Sequence, residues 1–368
     1  MARGVDDDDD DDDDEEEGEE EEEDVDPDPE RARRACSAVM VRMLVRRARG
    51  VMLEPTCRAK ARRTAALRRW WRRVRWEMGR ACGETAGDDG GDGEDDEEEE
   101  EDADDFDDAL RDARTERVVE DPAREIVGRG LVKPGQTKRL GKGGTEASRV
   151  AILHSLAHIE SWAMDLAWDA IQRFGEARAM PLEFYDDFVE LAADEGRHFE
   201  LLARRLEGYG AAYGDLEAHD GLWQTARETS GSLEARLVVE HAVHEARGLD
   251  VLPMTIEKFR KNGDEESAAL LEGVVYPEEI THCAAGLRWF KYLHAREGEK
   301  RDGGVDADLN VEIEVTESST VVRAFHDIVR KHFAGVLKPP FNVEARASAG
   351  FTPIWYEPLV EKKAAIEA

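Results

Sequence analysis

One short pattern occurs twice in this chain and restricts what the chain can fold into. Glu195-Gly196-Arg197-His198 and Glu279-Ile280-Thr281-His282 both read Glu-x-x-His, and each follows a single glutamate, Glu160 or Glu245. The separation is 35 positions from Glu160 to Glu195 and 34 positions from Glu245 to Glu279. Because a helix brings residues three positions apart onto one face, the pattern predicts four helices that point these side chains inward.

The apolar residues around these positions repeat with the period of a helix, so each polar residue lies within an apolar stripe. The stripes are Leu153, Leu156, Ala157, Met164, Ala167, Trp168 and Ile171 around Glu160; Phe188, Leu191, Ala192, Phe199 and Leu202 around Glu195 and His198; Val238, Ala242 and Leu249 around Glu245; and Val275, Cys283, Gly286 and Phe290 around Glu279 and His282. All six polar residues are therefore expected to face one core.

Four carboxylates in a dry core are costly unless something neutralises them. Protons could do so by raising the carboxyl pKa values, but two divalent cations would balance four carboxylates charge for charge, with two neutral imidazoles completing the shells. One glutamate from each of two helices and Glu-x-x-His from each of two others is the ligand set of di-iron and di-manganese carboxylate bundles. The sequence therefore predicts a metal site for two divalent ions, iron or manganese, formed by Glu160, Glu195, His198, Glu245, Glu279 and His282.

Other polar residues near these positions have two interpretations each. His241 lies one turn before Glu245 on the same face, where it is either a satisfied core histidine or a seventh ligand or hydrogen-bond partner of a ligand. Tyr276 and Tyr185 either donate hydrogen bonds or react near the metal, or pack structurally. A further polar face on the first helix is expected to be solvated or packed under a loop; it comprises His154, His158, Asp165 and Asp169.

Charge is distributed unevenly along the 368 residues. Of the 86 acidic residues, 21 lie between positions 6 and 30 and 19 lie between 84 and 116, so much of the net charge of −35 belongs to these two runs. Like charges repel, and such runs bury too little apolar surface to offset chain entropy. Residues 1–116 are therefore expected to be a low-complexity, disordered extension.

Residues 31–80 form a basic block within this extension, with 17 basic residues and three interleaved tryptophans, Trp70, Trp71 and Trp76. The block could bind nucleic acid or a protein, through phosphate neutralisation and stacking in the case of nucleic acid. It could instead serve as a nuclear or organelle address, the latter if translation began at Met40 or Met43. The simplest alternative is that it pairs with the acidic runs beside it.

Cysteine usage and hydropathy restrict the compartment. Four cysteines, at positions 36, 57, 82 and 283, are too few and too scattered for a disulfide framework or a zinc site, which indicates a reducing compartment. No run of about twenty apolar residues occurs, so no membrane span is predicted. A cytoplasmic location is expected, with an organelle or the nucleus as the alternative if the basic block is a targeting signal.

Helical periodicity and turn residues predict the order of elements in an all-α bundle at residues 117–300, followed by a C-terminal helix and tail at 301–368 that pack on it. Bundle helices are expected at about 146–174, 181–208, up to 247, and 264–297, with a short helix at 253–260 and an extra C-terminal helix at 321–333. Gly248 suits the end of the third helix, and a long loop at 213–223 is expected to cross the bundle from end to end.

Several stretches resemble the ferritin-like family catalogued as domain of unknown function 455. They are LHSLAHIE at 153–160, MPLEFYDDFVELAADEGRHFELL at 180–202, YGDLEAHDGLW at 213–223, EARGLDVLP at 245–253, GDEESAALLEGVVYPEEITHCAAGLRWF at 263–290 and PPFNVEARASAGF at 339–351. The resemblance covers about residues 132–356, excludes the charged extension, and implies a ferritin-like four-helix bundle with the six residues as metal positions. The family has no assigned reaction. A more distant similarity is to ferritin-like hydroxylases that oxidise a modified adenosine in transfer RNA.

Three functions are compatible with this reasoning. The favoured hypothesis is an oxidoreductase that activates oxygen at two irons and acts on an unknown small molecule or a modified nucleoside. The second is a non-catalytic metal-binding or iron-handling bundle, and the third is a structural protein recruited to a partner by its charged extension. A homodimer fits each of them, and the fold does not decide among them.

Overall fold

The computed structural model describes residues 29–81, 112–125, 130–134, 136–137, 141–302, 316 and 318–360. Within these ranges the chain is all-α, as predicted, and its extended backbone is limited to one isolated bridge between Leu131 and Ala218. None of the described helices combines the length and the apolar character that a membrane span requires. Most of both acidic runs, at residues 6–28 and 84–111, lies outside the described residues.

The helices are numbered here in chain order. They are α1 (Pro29–Met52), α2 (Cys57–Ala81), α3 (Glu146–Ala170, continued by a π-helical segment, Ile171–Gly175), α4 (Leu182–Glu207), α5 (Gly221–Glu228), α6 (Leu233–Val238 and Glu245–Lys261, joined by the π-helical segment Val239–His244), α7 (Glu265–Leu270 and Tyr276–Asp302, joined by the π-helical segment Leu271–Val275), α8 (Thr320–His332), α9 (Val343–Ser348) and α10 (Pro353–Tyr356).

Helices α3, α4, α6 and α7 form the central bundle. Helix α3 packs along α4, and α6 packs along α7. The segment between α4 and α6, which includes α5, is a long crossover, as the sequence predicted. Side-chain oxygens of Thr145, Ser232 and Asp264 accept backbone N–H groups at the first turns of α3, α6 and α7, which stabilises each helix start.

Two π-helical segments position the residues that follow them in the bundle. A π turn contains an extra residue, so it changes the face on which later side chains lie, and such turns are frequent at functional sites. The segment Val239–His244 ends directly before Glu245, and Leu271–Val275 ends four residues before Glu279. The directions of these two glutamates therefore depend on irregular turns rather than on an ideal helix.

The prediction that the third helix ends near residue 247 and is followed by a separate short helix is wrong, because α6 continues through Gly248 and Pro253 to Lys261. A proline inside a helix leaves the carbonyl four residues earlier without its N–H partner. Here that carbonyl belongs to Leu249, and the side-chain amide of Asn342 donates to it at 3.1 Å. The C-terminal tail thus supplies the missing donor.

The prediction that residues 1–116 are disordered needs correction between residues 29 and 81. Helices α1 and α2 occupy this range, and α2 packs along the bundle helix α4. Leu44, Val45, Leu67 and Trp71 are each at most 1% exposed and belong to the main hydrophobic core. The prediction was based on the high arginine content and overlooked these apolar positions. They recur at helical spacing and bury enough surface to order both helices.

A buried ion pair also ties α2 to the bundle. Lys60 Nζ donates to both carboxylate oxygens of Asp165, at 2.7 and 2.9 Å, and Arg124 Nη2 donates to the same carboxylate at 2.6 Å. Lys60 and Asp165 have fully buried side chains. Because two cations surround one carboxylate, the charge of Asp165 is compensated within the protein.

The arginines of α2 pair with acidic residues of α4 rather than being left for a ligand. Arg68 and Arg72 both bind Glu190, and Arg75 binds Asp186. Among the three tryptophans of the basic block, Trp71 is buried, Trp70 lies against the Arg47 guanidinium, and Trp76 is half exposed. Several basic residues of this block therefore form ion pairs that hold α2 against α4. Nucleic-acid binding by the block stays a prediction.

The polar face of α3 is packed under other segments, which is the second of its two predicted interpretations. Asp169 is fully buried and binds Arg236 Nη1 of α6 at 2.5 Å and Arg173 at 3.1 Å. His158 binds Tyr213 and the backbone carbonyl of His219, both in the crossover. The crossover and α2 therefore cover the side of α3 that faces away from the bundle core.

The C-terminal segment packs on the bundle, as predicted. Phe325 of α8 contacts Phe351 and Trp355, and all three are buried. Arg346 of α9 is fully buried and makes two hydrogen bonds to Asp250 of α6, at 2.9 and 2.6 Å. This tail secures the middle of α6, where Pro253 interrupts the hydrogen bonding.

Replacing the buried amine of Lys60 tests whether α2 is an integral part of the fold. We expect Lys60→Met to lower the free energy of unfolding by about 3 kcal/mol, because Asp165 then keeps only Arg124 as a cationic partner in a buried setting. Arg62→Met changes an exposed basic residue two positions along the same helix and should change stability by less than about 0.5 kcal/mol. Urea denaturation of the full chain measures both, and equal effects would contradict the packing described here.

Candidate metal centre

The six residues predicted from the doubled pattern converge at the centre of the bundle. Their potential ligand atoms form two groups, each with all atoms within 4.8 Å of one another. One group contains Glu160, Glu195, His198 and Glu279, and the other contains Glu195, Glu245, Glu279 and His282. Glu195 and Glu279 belong to both groups, so they lie between two adjacent positions at which a cation could be held.

Both histidines present Nδ1 to the carboxylates. His198 Nδ1 lies 3.6 Å from Glu195 Oε2 and 3.9 Å from an oxygen of Glu160 and of Glu279. His282 Nδ1 lies 3.1 Å from Glu195 Oε1. The arrangement has approximate two-fold character, because each Glu-x-x-His helix contributes one shared carboxylate and one imidazole.

The central atoms are buried and have no hydrogen-bond partner. Glu195 and His198 are fully buried, and His282 is nearly so. Both carboxylate oxygens of Glu195 and both Nδ1 atoms of the histidines lack a hydrogen-bond partner among the described residues. Buried polar atoms without partners are rare because each costs free energy, so these atoms indicate a site built for a bound group.

Acidic residues on the neighbouring helix hold the other nitrogen of each imidazole. His198 Nε2 lies 2.6 Å from Glu278 Oε2, and His282 Nε2 lies 3.4 Å from Asp194 Oδ2. A carboxylate at Nε2 accepts its proton and fixes the ring orientation, so Nδ1 points to the centre. Each histidine is therefore oriented by an acidic residue of the other Glu-x-x-His motif. This acidic residue lies directly before the glutamate of that motif.

Arg197 connects these two acids at the surface side of the centre. Its Nη2 lies 3.2 Å from Asp194 Oδ1 and 2.5 Å from both carboxylate oxygens of Glu278. Sequence reasoning missed all three residues, although a signal exists: an acidic residue directly precedes the glutamate in both copies, as Asp194-Glu195 and Glu278-Glu279. The repeated unit is thus five residues long, acid-Glu-x-x-His.

Burial and mutual repulsion dominate the ionisation of the carboxylates. Burial raises the pKa of Glu160 and Glu279 well above the usual range, and nearby carboxylates add to this effect. Burial and the charge of Glu195 raise the pKa of Glu245 to about 7. Glu195 differs, because His198 and His282 outweigh the effect of its burial and lower its pKa. Without a cation, the cluster therefore keeps protons at neutral pH.

The two histidines also keep protons, because carboxylates surround them. Burial alone would lower the pKa of each imidazole, but neighbouring carboxylates raise the pKa of His198 and of His282 well above the usual value. Any cation bound by Nδ1 must displace such a proton, so cation binding and proton release are linked.

His241 and Tyr276 lie outside both groups of ligand atoms. His241 is buried against Phe188, with ring centroids 4.9 Å apart, and neither ring nitrogen has a hydrogen-bond partner. Burial lowers its pKa to about 3, so it is neutral. Tyr276 accepts a hydrogen bond from Asn342 Nδ2 at 2.7 Å, which ties α7 to the C-terminal tail.

Glu240 is a further buried carboxyl group that sequence reasoning missed. It lies in the π-helical segment of α6, is 1% exposed, and neither carboxylate oxygen has a hydrogen-bond partner in the part of the chain that the structure describes. The imidazole of His244 lies beside it, with Nε2 3.9 Å from Glu240 Oε2. Burial raises the pKa of Glu240 to about 8, so it is mostly protonated at neutral pH.

Four carboxylates and two imidazoles in one buried cluster form a donor set rich in oxygen, and such sets suit divalent cations of hard or intermediate character. The fold and the cluster together define an all-α protein whose helical bundle encloses a carboxylate–histidine site that could hold a metal ion.

Comparison with known proteins places the chain more specifically. The chain belongs to the family described as Protein of unknown function (DUF455), whose model matches residues 53–357. The match begins before α2, so the resemblance noted from residue 132 was too short, and α2 is part of the family domain.

One relative is an uncharacterized protein of Haemophilus influenzae, 34% identical over 212 residues. The alignment covers 56% of this chain and 66% of that protein, slightly less than two thirds of its length. No solved structure matches the chain.

The raised pKa of Glu240 predicts how the free energy of unfolding changes with pH. The folded protein holds a proton on Glu240 up to about pH 8, whereas the unfolded chain releases it near pH 4.5, so stability from this group is lost as the pH rises between these values. Glu240→Gln removes this loss. We expect the variant to exceed the parent in unfolding free energy by about 5 kcal/mol at pH 9 and to match it near pH 4.5.

Urea denaturation at pH 5, 7 and 9 measures this difference. Glu257→Gln is the matched control, because Glu257 is an exposed carboxyl group on α6 and should show no such trend. A difference between Glu240→Gln and the parent that does not grow with pH would contradict the prediction.

Proposed function

We propose that this protein is a dinuclear metal-carboxylate protein of the ferritin-like type, with two irons, that activates oxygen to oxidise an unknown small-molecule or modified-nucleoside substrate. The observation that carries the proposal is the buried Glu195 carboxylate. Within the described ranges neither of its oxygens receives a hydrogen bond, and the Nδ1 atoms of His198 and His282, which have no partner there either, flank it. Such an arrangement is unfavourable unless a cation is bound.

The residues present fit two divalent ions. Glu195 and Glu279 belong to both ligand groups, so they would contribute to holding either ion. Glu160 and His198 complete the first position, and Glu245 and His282 complete the second. The resulting charge balance is neutral, since four carboxylates match two divalent cations, and the oxygen-rich set favours iron or manganese over copper or zinc.

A bound pair of irons would supply the electrons that reduce dioxygen, which amino-acid side chains do not provide. The residues of the chain have three tasks around that chemistry. Glu278 and Asp194 orient the imidazoles through Nε2, and Arg197 holds these two acids in place. The apolar shell, including Phe188, Phe199 and Leu202, excludes bulk water from the carboxylates.

Metal content of the full chain tests the site. We expect about two irons per chain after reconstitution with ferrous ion, and an absorption band that develops only when dioxygen is added. The double variant Glu195→Ala with Glu279→Ala removes both shared carboxylates and should bind no stoichiometric metal. Elemental analysis after desalting measures the content.

The matched control is Glu207→Ala with Glu297→Ala, which removes one exposed glutamate from each of the same two helices and should keep the parent metal content. Two metals per chain in the Glu195 and Glu279 double variant would refute the site. Full metal content without any reaction toward dioxygen would refute the oxygen-activating role and leave a metal-holding or structural bundle.

Glu278 provides a separate test of how the histidines are positioned. Glu278→Gln cannot accept the His198 Nε2 proton as a carboxylate does, so His198 becomes a weaker ligand. We expect metal affinity to fall by about 10-fold to 100-fold, with the two-ion stoichiometry kept at saturating metal. Competition with a chromophoric chelator measures the affinity.

Glu297→Gln changes an exposed glutamate far along the same helix and should leave the affinity unchanged. An affinity for Glu278→Gln equal to that of the parent would mean that Glu278 does not position His198.

A further inference from the structure

A cavity of about 430 Å³ lies between α3 and the crossover segment. Its walls are mainly apolar and include Ala147, Ala151, Ile159, Trp162 and Leu222. Positions 154 and 158 of α3 also line it, and these are about 120° and about 160° around the helix from Glu160. The cavity is therefore on the opposite side of α3 from the candidate metal centre.

His154 offers this cavity a hydrogen-bond donor without a partner. Its Nε2 accepts the backbone N–H of Gly214 at 2.9 Å, so the proton of this neutral ring is on Nδ1. Burial lowers the pKa of His154, which keeps the ring neutral. The residue is only 3% exposed, and no group in the described ranges accepts from its Nδ1–H.

Two more donors line the same cavity. The Nδ1 atom of His219 accepts the backbone N–H of Gly221 at 3.2 Å, which places the proton of that ring on Nε2. The hydroxyl of Ser155 has no hydrogen-bond partner among the described residues. His158, in contrast, is fully used, because its two nitrogens bind Tyr213 and the carbonyl of His219, each at 2.9 Å.

We propose that this cavity is a second ligand site, which binds a flat, mainly apolar molecule carrying a neutral hydrogen-bond acceptor such as a carbonyl oxygen. The apolar walls and Trp162 would contact the ring, and the donors of His154, Ser155 and His219 would bind the acceptor. A ligand acceptor inside this mainly apolar cavity would use donors that no described residue of the protein occupies, and a few such polar groups fix the orientation of a ligand.

The charge of the cavity favours a neutral acceptor over a carboxylate. Among the described residues that line it, Glu217 is the one charged side chain, and neither lysine nor arginine is present. An anionic ligand would be placed near the Glu217 carboxylate in a partly buried setting without a compensating cation. A neutral carbonyl accepts the same hydrogen bonds without this repulsion.

Binding of coumarin to the full chain tests the proposal, because coumarin is a flat bicyclic ring with one carbonyl acceptor. Isothermal titration calorimetry should show one saturable site per chain with a Kd on the order of 100 µM. Ala151→Phe fills the cavity and should abolish binding, whereas Ala65→Phe, at an exposed alanine of α2, should leave it unchanged. His154→Phe should weaken binding about tenfold and Ser155→Ala about threefold, each through one lost hydrogen bond.

Three results would overturn the proposal: no saturable coumarin binding, coumarin binding that survives Ala151→Phe, or 2-naphthoate binding at least tenfold more tightly than coumarin. The last result would show that the site selects an anion. Coumarin binding should persist in the Glu195→Ala with Glu279→Ala variant, so failure of the metal site and failure of this cavity are separate outcomes. Circular dichroism of each variant establishes that it is folded.

Discussion

The requirement to bury four carboxylates in one core determines much of this structure. Glu160, Glu195, Glu245 and Glu279 come from four different helices, so their repulsion acts directly against bundle formation unless protons or cations offset it. When no cation is bound, burial and this repulsion raise the pKa values of Glu160 and Glu279. The four carboxylates make the interior of the bundle intrinsically unfavourable. Three features of the fold offset this cost: the helix packing, the acids that bind the histidines, and the segments that cover the outer face of α3.

Helix α3 illustrates how the fold accommodates polar residues on two sides of one helix. Its inner face carries Glu160, and its outer face carries Asp165 and Asp169, all buried. A helix of this kind is stable only if other segments cover both faces and supply counter-charges. Lys60 of α2 and Arg236 of α6 do this for the outer aspartates. Helix α2, for all its arginines, is therefore a structural element of the domain.

Periodicity predicted much of the fold, including the all-α class, the bundle helices and α8, and it placed the six polar residues on inner faces. It failed at α6, because Gly248 and Pro253 are helix breakers by local propensity, while Asn342, nearly ninety residues further along the chain, supplies the donor that keeps the helix continuous. The prediction also failed at α1 and α2, because their charged composition was taken to indicate disorder although their apolar residues follow a helical pattern. In both places a distant contact decides the local structure.

The sequence by itself determined which residues could form the candidate site, because Glu-x-x-His places its glutamate and histidine on one helix face, which is a local property, and Glu160 and Glu245 lie in apolar stripes of the same period. Only the tertiary structure decided how these residues are supported. The pairing of His198 with Glu278 and of His282 with Asp194 joins different helices, and the cavity beside His154 exists only where the crossover lies over α3. Such contacts depend on the relative placement of helices, which residue spacing along one chain does not specify.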